Sequence, residues 1–91
     1  MAQEKVAVVG LGYVGIPLAA LLASKGYDVV GIDVLRDRVS RVNAGELPIK
    51  GDEPGLAELL AREVKKGRLR ASSSAEACRG RKIVFICVDT P

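Results

Sequence analysis

Three glycines and one carboxylate are the residues of this chain whose types and spacing could do chemistry. Gly10, Gly12 and Gly15 stand in G-x-G-x-x-G spacing inside the run Val6-Ala-Val-Val-Gly-Leu-Gly-Tyr-Val-Gly-Ile-Pro-Leu-Ala19. A second apolar run, Asp28-Val-Val-Gly-Ile-Asp33, ends in a carboxylate 18 positions after Gly15. Glycines so spaced, after a strand and before a helix, suit the pyrophosphate of a dinucleotide. Gly10 lets the chain turn where a Cβ would obstruct, Gly12 lets the backbone come close to the phosphates, and Gly15 lets the helix pack on the strand. The free N–H groups of the helix's first turn, at the positive end of its dipole, then face the phosphates. Asp33, near the roughly 20-residue offset of a ribose-binding acid, would accept hydrogen bonds from both hydroxyls of the adenosine ribose. A 2′-phosphate would meet a like charge there, so the acid selects NAD over NADP. The bland alternative is a ligand-free glycine turn with a solvated Asp33. The complete order of strand, turn, helix, strand and acid favours the cofactor.

The elements that must position these residues follow from periodicity. Residues 5–10 read as a strand, apolar throughout as in a parallel sheet covered on both faces. Residues 13–25 read as a helix, with Val14, Leu18, Leu21 and Leu22 at helical spacing, Pro17 near the first turn and Gly26 as the stop. Residues 27–33 form a second strand. Residues 35–44 read as a short helix with Val39 and Val42 inward and Arg36, Asp37, Arg38 and Arg41 mostly outward, ended by Gly45. After a loop over 46–53, Asp52 or Glu53 should cap a helix that begins near Pro54. That helix turns Leu56, Leu59, Leu60 and Val64 inward and ends at Gly67. A short strand over 68–71, a serine-capped turn over 72–78 and a buried-type strand over 82–88 complete the chain. The fold class is α/β. Right-handed crossovers give a Rossmann-type parallel sheet of order 3-2-1-4 flanked by helices, part of a doubly wound domain. Residues 1–91 are therefore expected to be an N-terminal dinucleotide-binding domain, truncated, with catalytic and substrate domains absent.

The bulk properties bound the reading further. Ninety-one residues make one small domain. Hydrophobic content of 48% and charged content of 27% are those of a globular protein. The net charge of +3, with only three aromatic residues, gives no pattern for nucleic acid. The basic positions Lys65, Lys66, Arg68 and Arg70, and Arg79, Arg81 and Lys82, read as solvated helix ends. No apolar run is long enough for a membrane span. The polar start, Met1-Ala-Gln-Glu-Lys5, is no signal peptide, so a cytoplasmic location is expected. Cys78 and Cys87 suggest neither a disulfide framework nor a metal site and read as small packed side chains.

The segments Val9-Gly-Leu-Gly-Tyr-Val-Gly-Ile-Pro-Leu-Ala19, Gly31-Ile-Asp33, Val42-Asn-Ala-Gly-Glu-Leu-Pro-Ile49, Glu53-Pro-Gly-Leu56 and Val88-Asp-Thr-Pro91 together resemble the NAD-binding domain of the UDP-glucose/GDP-mannose dehydrogenase family. The resemblance covers essentially the whole chain in order. It implies an NAD-dependent, two-step oxidation of a nucleotide sugar at C6, alcohol to carboxylate, with two NAD reduced. It also implies a homo-oligomer for the full-length protein. By the same resemblance Tyr13 and Val14 would supply backbone contacts to the pyrophosphate, Asp33 would hold the ribose, Arg38 would lie over the adenosine side of NAD, and Thr90 would stand beside its nicotinamide half. The family's reactive cysteine and its assisting lysine, asparagine and acidic residues lie downstream of the matched region. No residue here is assigned a catalytic role, and these 91 residues alone are expected to bind the cofactor without turnover. The long stretch over 47–56 is more similar to UDP-N-acetylmannosamine dehydrogenases than to the compact form of UDP-glucose enzymes.

Two other readings stand beside this one. Another hydroxyl-oxidising dehydrogenase, of the 6-phosphogluconate or hydroxyacyl-CoA type, would share the N-terminal fold, but typically lacks Glu53-Pro-Gly-Leu56. A nucleotide-sensing module would bind NAD and do no chemistry. Fold alone does not separate them.

Overall fold

The computed structural model describes residues 4–50 and 53–87. Its centre is a parallel sheet of four strands: β1 (Lys5–Val9), β2 (Asp28–Ile32), β3 (Leu69–Ser72) and β4 (Ile83–Ile86). The spatial order is β3-β2-β1-β4, as the crossover rule predicts. β1 runs beside β2 from Lys5↔Asp28 to Val9↔Ile32. β4 lies on its other side from Val6↔Ile83 to Val9↔Ile86. This register brings the C-terminal ends of β1, β2 and β4 together at one edge, where Gly10 and Asp33 follow directly.

Three helices connect the strands: α1 (Gly15–Ser24), α2 (Arg36–Asn43) and α3 (Leu56–Lys65). α1 packs on the sheet through Ile16, Ala19, Ala20 and Ala23, all fully buried. Its small side chains let the helix axis come close to the strands. Alternation along the strands sends Val8, Val29 and Leu69 to this side. There they join Leu11, Val42, Leu56 and Leu60 in the main core. Each fully buried leucine or isoleucine contributes about 1.5–3 kcal/mol. On the opposite face Ala7, Val30 and Ile32 are covered by Ala77 and Cys78 of a short 3-10 turn, Ala75–Cys78. Its cap is the predicted serine: Ser74 Oγ accepts from the Glu76 N–H at 3.2 Å.

Side chains also close the sheet's margins. β3 is an outer strand, and Asn43 acts as a substitute neighbour. Its Nδ2 donates to the Ala71 carbonyl at 3.0 Å, and its Oδ1 accepts from the Ala71 N–H at 2.9 Å. The edge is thereby satisfied where another chain could otherwise pair. At the opposite end of the sheet from Gly10, Arg81 donates to the Asp28 carbonyl and carboxylate at 2.9 and 3.0 Å. This ties the approach to β4 to the start of β2.

Three expectations are corrected. α1 begins at Gly15 rather than Tyr13, which leaves Tyr13 and Val14 in the turn. α3 begins at Leu56, and its N-cap is Gly55 at φ +82° with no side-chain bond. Of the two expected caps, Glu53 gives only its backbone carbonyl, to Leu56 N at 3.3 Å, and Asp52 lies outside the described residues. β4 was expected to be buried, yet Ile83, Val84, Phe85 and Ile86 are 45%, 43%, 36% and 73% exposed. β4 is the outer strand next to β1, and among the described residues β1 is the one element that packs extensively against it. Its apolar sequence reflects a strand that is meant to be covered.

Candidate functional site

The tight turn between β1 and α1 is built from what its residues lack. Gly10 adopts φ +98°, a left-handed conformation that glycine reaches without strain. Its N–H donates to the Ile32 carbonyl, which continues the β1–β2 pairing one step past the strands. A Cβ on Gly15 would overlap the Gly10 carbonyl oxygen and lie 2.8 Å from the Gly10 carbonyl carbon. The helix therefore starts in contact with the strand end, and only glycine fits. Between these glycines Leu11 turns inward and is fully buried. It packs over Gly31 of β2, where a Cβ would stand 2.5 Å from Leu11 Cδ2. Gly31 was not singled out by spacing, because its constraint comes from a side chain 20 positions away.

Tyr13 and Val14 point into solvent, 62% and 61% exposed. Among the described residues their N–H groups meet no acceptor, as expected at the mouth of a helix. Gly12 is buried beneath them and accepts from the Ile16 N–H at 3.1 Å. The turn thus presents N–H groups that meet no acceptor among the described residues, together with the positive end of α1, to one side, where an anion is favoured.

Asp33 follows β2 directly and is only 7% exposed. Its Oδ2 accepts from the Leu11 N–H at 2.9 Å and from Arg38 Nη1 at 3.1 Å. Its Oδ1 accepts from the Leu35 N–H at 2.9 Å. Burial alone would push this carboxyl's pKa up. The N–H donors of Leu35 and Leu11 and the Arg38 guanidinium outweigh burial and hold it below its ordinary value of 3.8. Asp33 is therefore an anion at neutral pH. Arg38, expected to point mostly outward, instead folds back onto Asp33 from the first turn of α2, with 23% of its side chain exposed.

A cavity of about 370 Å³ opens against these groups, lined by Val9, Gly10, Ile32, Asp33, Val34, Leu35, Arg38 and Cys87. Val34 and Leu35, 86% and 51% exposed, form an apolar lip. Cys87 joins the lining because its N–H donates to the Val9 carbonyl at 2.7 Å, which carries the β1–β4 pairing up to the level of Gly10. It also packs against the main core, in keeping with the reading of a small packed side chain. The strand order could have placed Cys87 here from sequence. A predominantly apolar recess with one buried anion and one cation at its edge suits a flat heteroaromatic ring joined to a hydroxylated sugar. The bare turn of Gly10, Gly12 and Gly15 beside it suits the attached phosphates, so the residues present fit a dinucleotide. Among the described residues no group of three or more His, Cys, Asp or Glu side chains could hold a metal ion. Thr90 lies outside the described residues. Of the others expected at the site, Gly10, Gly12, Tyr13, Val14 and Gly15 lie on the turn into α1, Asp33 just past the end of β2, and Arg38 in the first turn of α2, from which it reaches Asp33.

Comparison with known proteins agrees with this geometry. Residues 4–91 match the profile described as "UDP-glucose/GDP-mannose dehydrogenase family, NAD binding domain". The chain is 42% identical over 88 residues to a GDP-mannose 6-dehydrogenase of Pseudomonas savastanoi pv. phaseolicola, covering 96% of this chain and 20% of that protein. It is 43% identical over 88 residues to a UDP-N-acetyl-D-mannosamine dehydrogenase of Methanococcus maripaludis, covering 97% and 19%. Among solved structures, a UDP-glucose dehydrogenase from Pyrobaculum islandicum superposes with a TM-score of 0.88 at 43% identity, over 99% of this chain and 21% of that one. The chain thus spans about a fifth of the length of the relatives it matches.

Proposed function

The chain belongs to the UDP-glucose/GDP-mannose dehydrogenase family, as its NAD-binding domain, and from that premise we propose that it holds NAD for the oxidation of a nucleotide sugar. The observation that carries this reading is the Asp33 carboxylate, buried and anionic, bonded to the glycine turn by the Leu11 N–H. Asp33 would hold the adenosine ribose, its carboxylate oxygens accepting from the ribose hydroxyls. Val34, Leu35 and Arg38, which line the same cavity, would face the adenosine side. Tyr13 and Val14 would offer their backbone N–H groups to the pyrophosphate, at the turn of Gly10, Gly12 and Gly15. Bound there, NAD supplies a hydride acceptor. By the family resemblance, Thr90 would serve the nicotinamide side.

In the whole protein the reaction is the two-step oxidation of C6, alcohol to carboxylate, with two NAD reduced. The expected substrate is of the UDP-N-acetylmannosamine or UDP-glucose type. The groups that take the alcohol proton and capture the aldehyde belong to the rest of the protein, which acts in the cytoplasm as a homo-oligomer. Among the described residues no helix is long and apolar enough to cross a membrane. Support for these two types comes from relatives named as UDP-N-acetyl-D-mannosamine and UDP-glucose dehydrogenases, whereas another relative, at 42% identity, is named for GDP-mannose.

Calorimetric titration with NAD tests the cofactor role. Saturable binding by the chain is expected, with no NADH formed on adding UDP-N-acetylmannosamine, UDP-glucose or GDP-mannose. A folded chain that takes up no NAD would overturn the reading, and NADH production would overturn the assignment of catalysis to other residues.

A further inference from the structure

α1 lacks what a helix with one side in water needs. From Gly15 to Ala23 it carries no charged or hydrogen-bonding side chain. α2 and α3, by contrast, expose Arg36, Asp37 and Arg41, and Glu58, Arg62 and Lys65. A helix that is apolar all round is one that is covered all round. α1 is covered on its sheet side, through Ile16, Ala19, Ala20 and Ala23. Its other side, where Leu21 is 49% exposed, forms one wall of a groove of about 420 Å³ against α3. Pro17, Leu21, Pro54, Leu56 and Leu59 make the groove apolar. Glu53 lines it at the end where α3 begins, and Arg62 lines it nearly two turns along the helix. We propose that a second copy of this chain seats in the groove, the two copies being related by a two-fold axis through its middle.

The charges select both the occupant and its orientation. A groove with an acid at one end and a base at the other complements itself when turned end for end, and a two-fold axis does that. Glu53 of each copy then lies opposite Arg62 of the partner subunit, so the pair forms twice. Copies packed with their grooves in the same sense would set acid against acid and base against base, which opposes that arrangement. Both charges can meet a partner. Glu53 makes no ion pair among the described residues. Arg62 is held only by Glu63, at 3.6 Å, with 61% of its side chain exposed. Near the axis the Leu21 side chains lose their exposed surface to each other, which supplies the apolar driving force. The two helices have ten residues each and are thus about 15 Å long, so their joint face is smaller than the roughly 800 Å² per partner of a standard interface. The dimer is therefore weak and reversible, with a dissociation constant of about 10–100 μM. β4 also exposes apolar side chains, but Ile83–Ile86 carries no charge that would select a partner.

The test is sedimentation velocity of the folded chain over roughly 10 μM to 1 mM, which brackets the expected constant. A reductant is present so that Cys78 and Cys87 form no disulfide. Circular dichroism first establishes that each variant is folded. Leu21→Gln, at an exposed position, should weaken the dimer about tenfold or more. Glu53→Arg and Arg62→Glu should each weaken it about fivefold, and more at low salt than at high salt. Their combination restores opposite charges in reversed order and should bring the constant back to within about threefold of the unmodified chain. Ile86→Lys, on β4, should leave it unchanged. A chain that stays monomeric at the highest concentration overturns the proposal and leaves the groove to another occupant. A dimer that Leu21→Gln leaves intact, or that Ile86→Lys abolishes, overturns it as well. So does a double variant that associates no more tightly than its single parents. None of these outcomes touches the NAD reading, which the titration with NAD decides.

Discussion

The Leu11 amide and the Asp33 carboxylate, 22 positions apart, are joined by a 2.9 Å hydrogen bond between N–H and Oδ2. One residue is the variable position inside the glycine motif and the other is the acid at the end of β2. The acid therefore fixes the glycine turn, and on the proposed reading the same carboxylate would also offer oxygens to a ribose. Replacing Asp33 by Ala should cost more than a ligand contact. The buried Leu11 N–H loses its acceptor, at about 1–3 kcal/mol, so the chain should lose that much stability without any nucleotide present. Urea unfolding of the unliganded protein measures this. An Asp33→Ala variant as stable as the unmodified chain would show that the turn holds itself.

The same carboxylate gives a pH signature. Its folded pKa lies below the ordinary 3.8 that it recovers on unfolding. The ionised form is thus favoured by the fold, and its contribution to stability is complete above that ordinary value. The contribution is lost as pH falls from there through the lower folded value, where the unfolded state binds the extra proton. Unfolding curves over roughly pH 2 to 6 should show a steeper loss of stability on the acid side for the unmodified chain than for Asp33→Asn. Parallel profiles for the two would contradict the stated environment of Asp33.

Gly15 admits no side chain, because the atom a Cβ would strike is the Gly10 carbonyl oxygen and not the end of a flexible group. Gly15→Ala should push α1 off the strand end, cost about 1–3 kcal/mol or more and abolish dinucleotide binding. Gly26→Ala is the contrast. Gly26 has φ +100° with nothing within 4 Å of an added Cβ. Its replacement should lower stability modestly through backbone strain and leave binding unchanged. Equal losses of binding in both variants would argue that the glycine motif matters only for folding.

Much of this was legible from residue order because the signals were local. Strand runs, glycine stops at Gly26, Gly45 and Gly67 and the crossover rule together place every strand in the observed order. What escaped was set by distant partners. Gly31 is constrained by Leu11, and Arg38 turns inward because Asp33 draws it there. The start of α3 escaped because a left-handed Gly55 takes the place of a side-chain cap. The exposure of β4 escaped because an apolar strand says that it is to be covered but not by what.

Glu63 was also invisible to periodicity. It falls on the inward face of α3 at 1% exposure, with Oε1 unpartnered among the described residues. Arg62 and Lys66 approach Oε2 only at 3.6 and 3.7 Å. Such distant partners compensate poorly for taking a carboxylate out of water. Glu63→Met, of similar volume, should therefore raise stability by about 1–2 kcal/mol without altering NAD affinity. Thermal unfolding decides this. A destabilised variant would mean that the ion pairs outweigh the cost of burial.

The most direct test of the central claim is amide NMR of the chain titrated with NAD. The shifts should centre on residues 11–15, on Asp33 and on Leu35, and should fade in Asp33→Ala. Shifts centred elsewhere, or none in a folded sample, would contradict the assignment of the glycine turn and Asp33 as the NAD site.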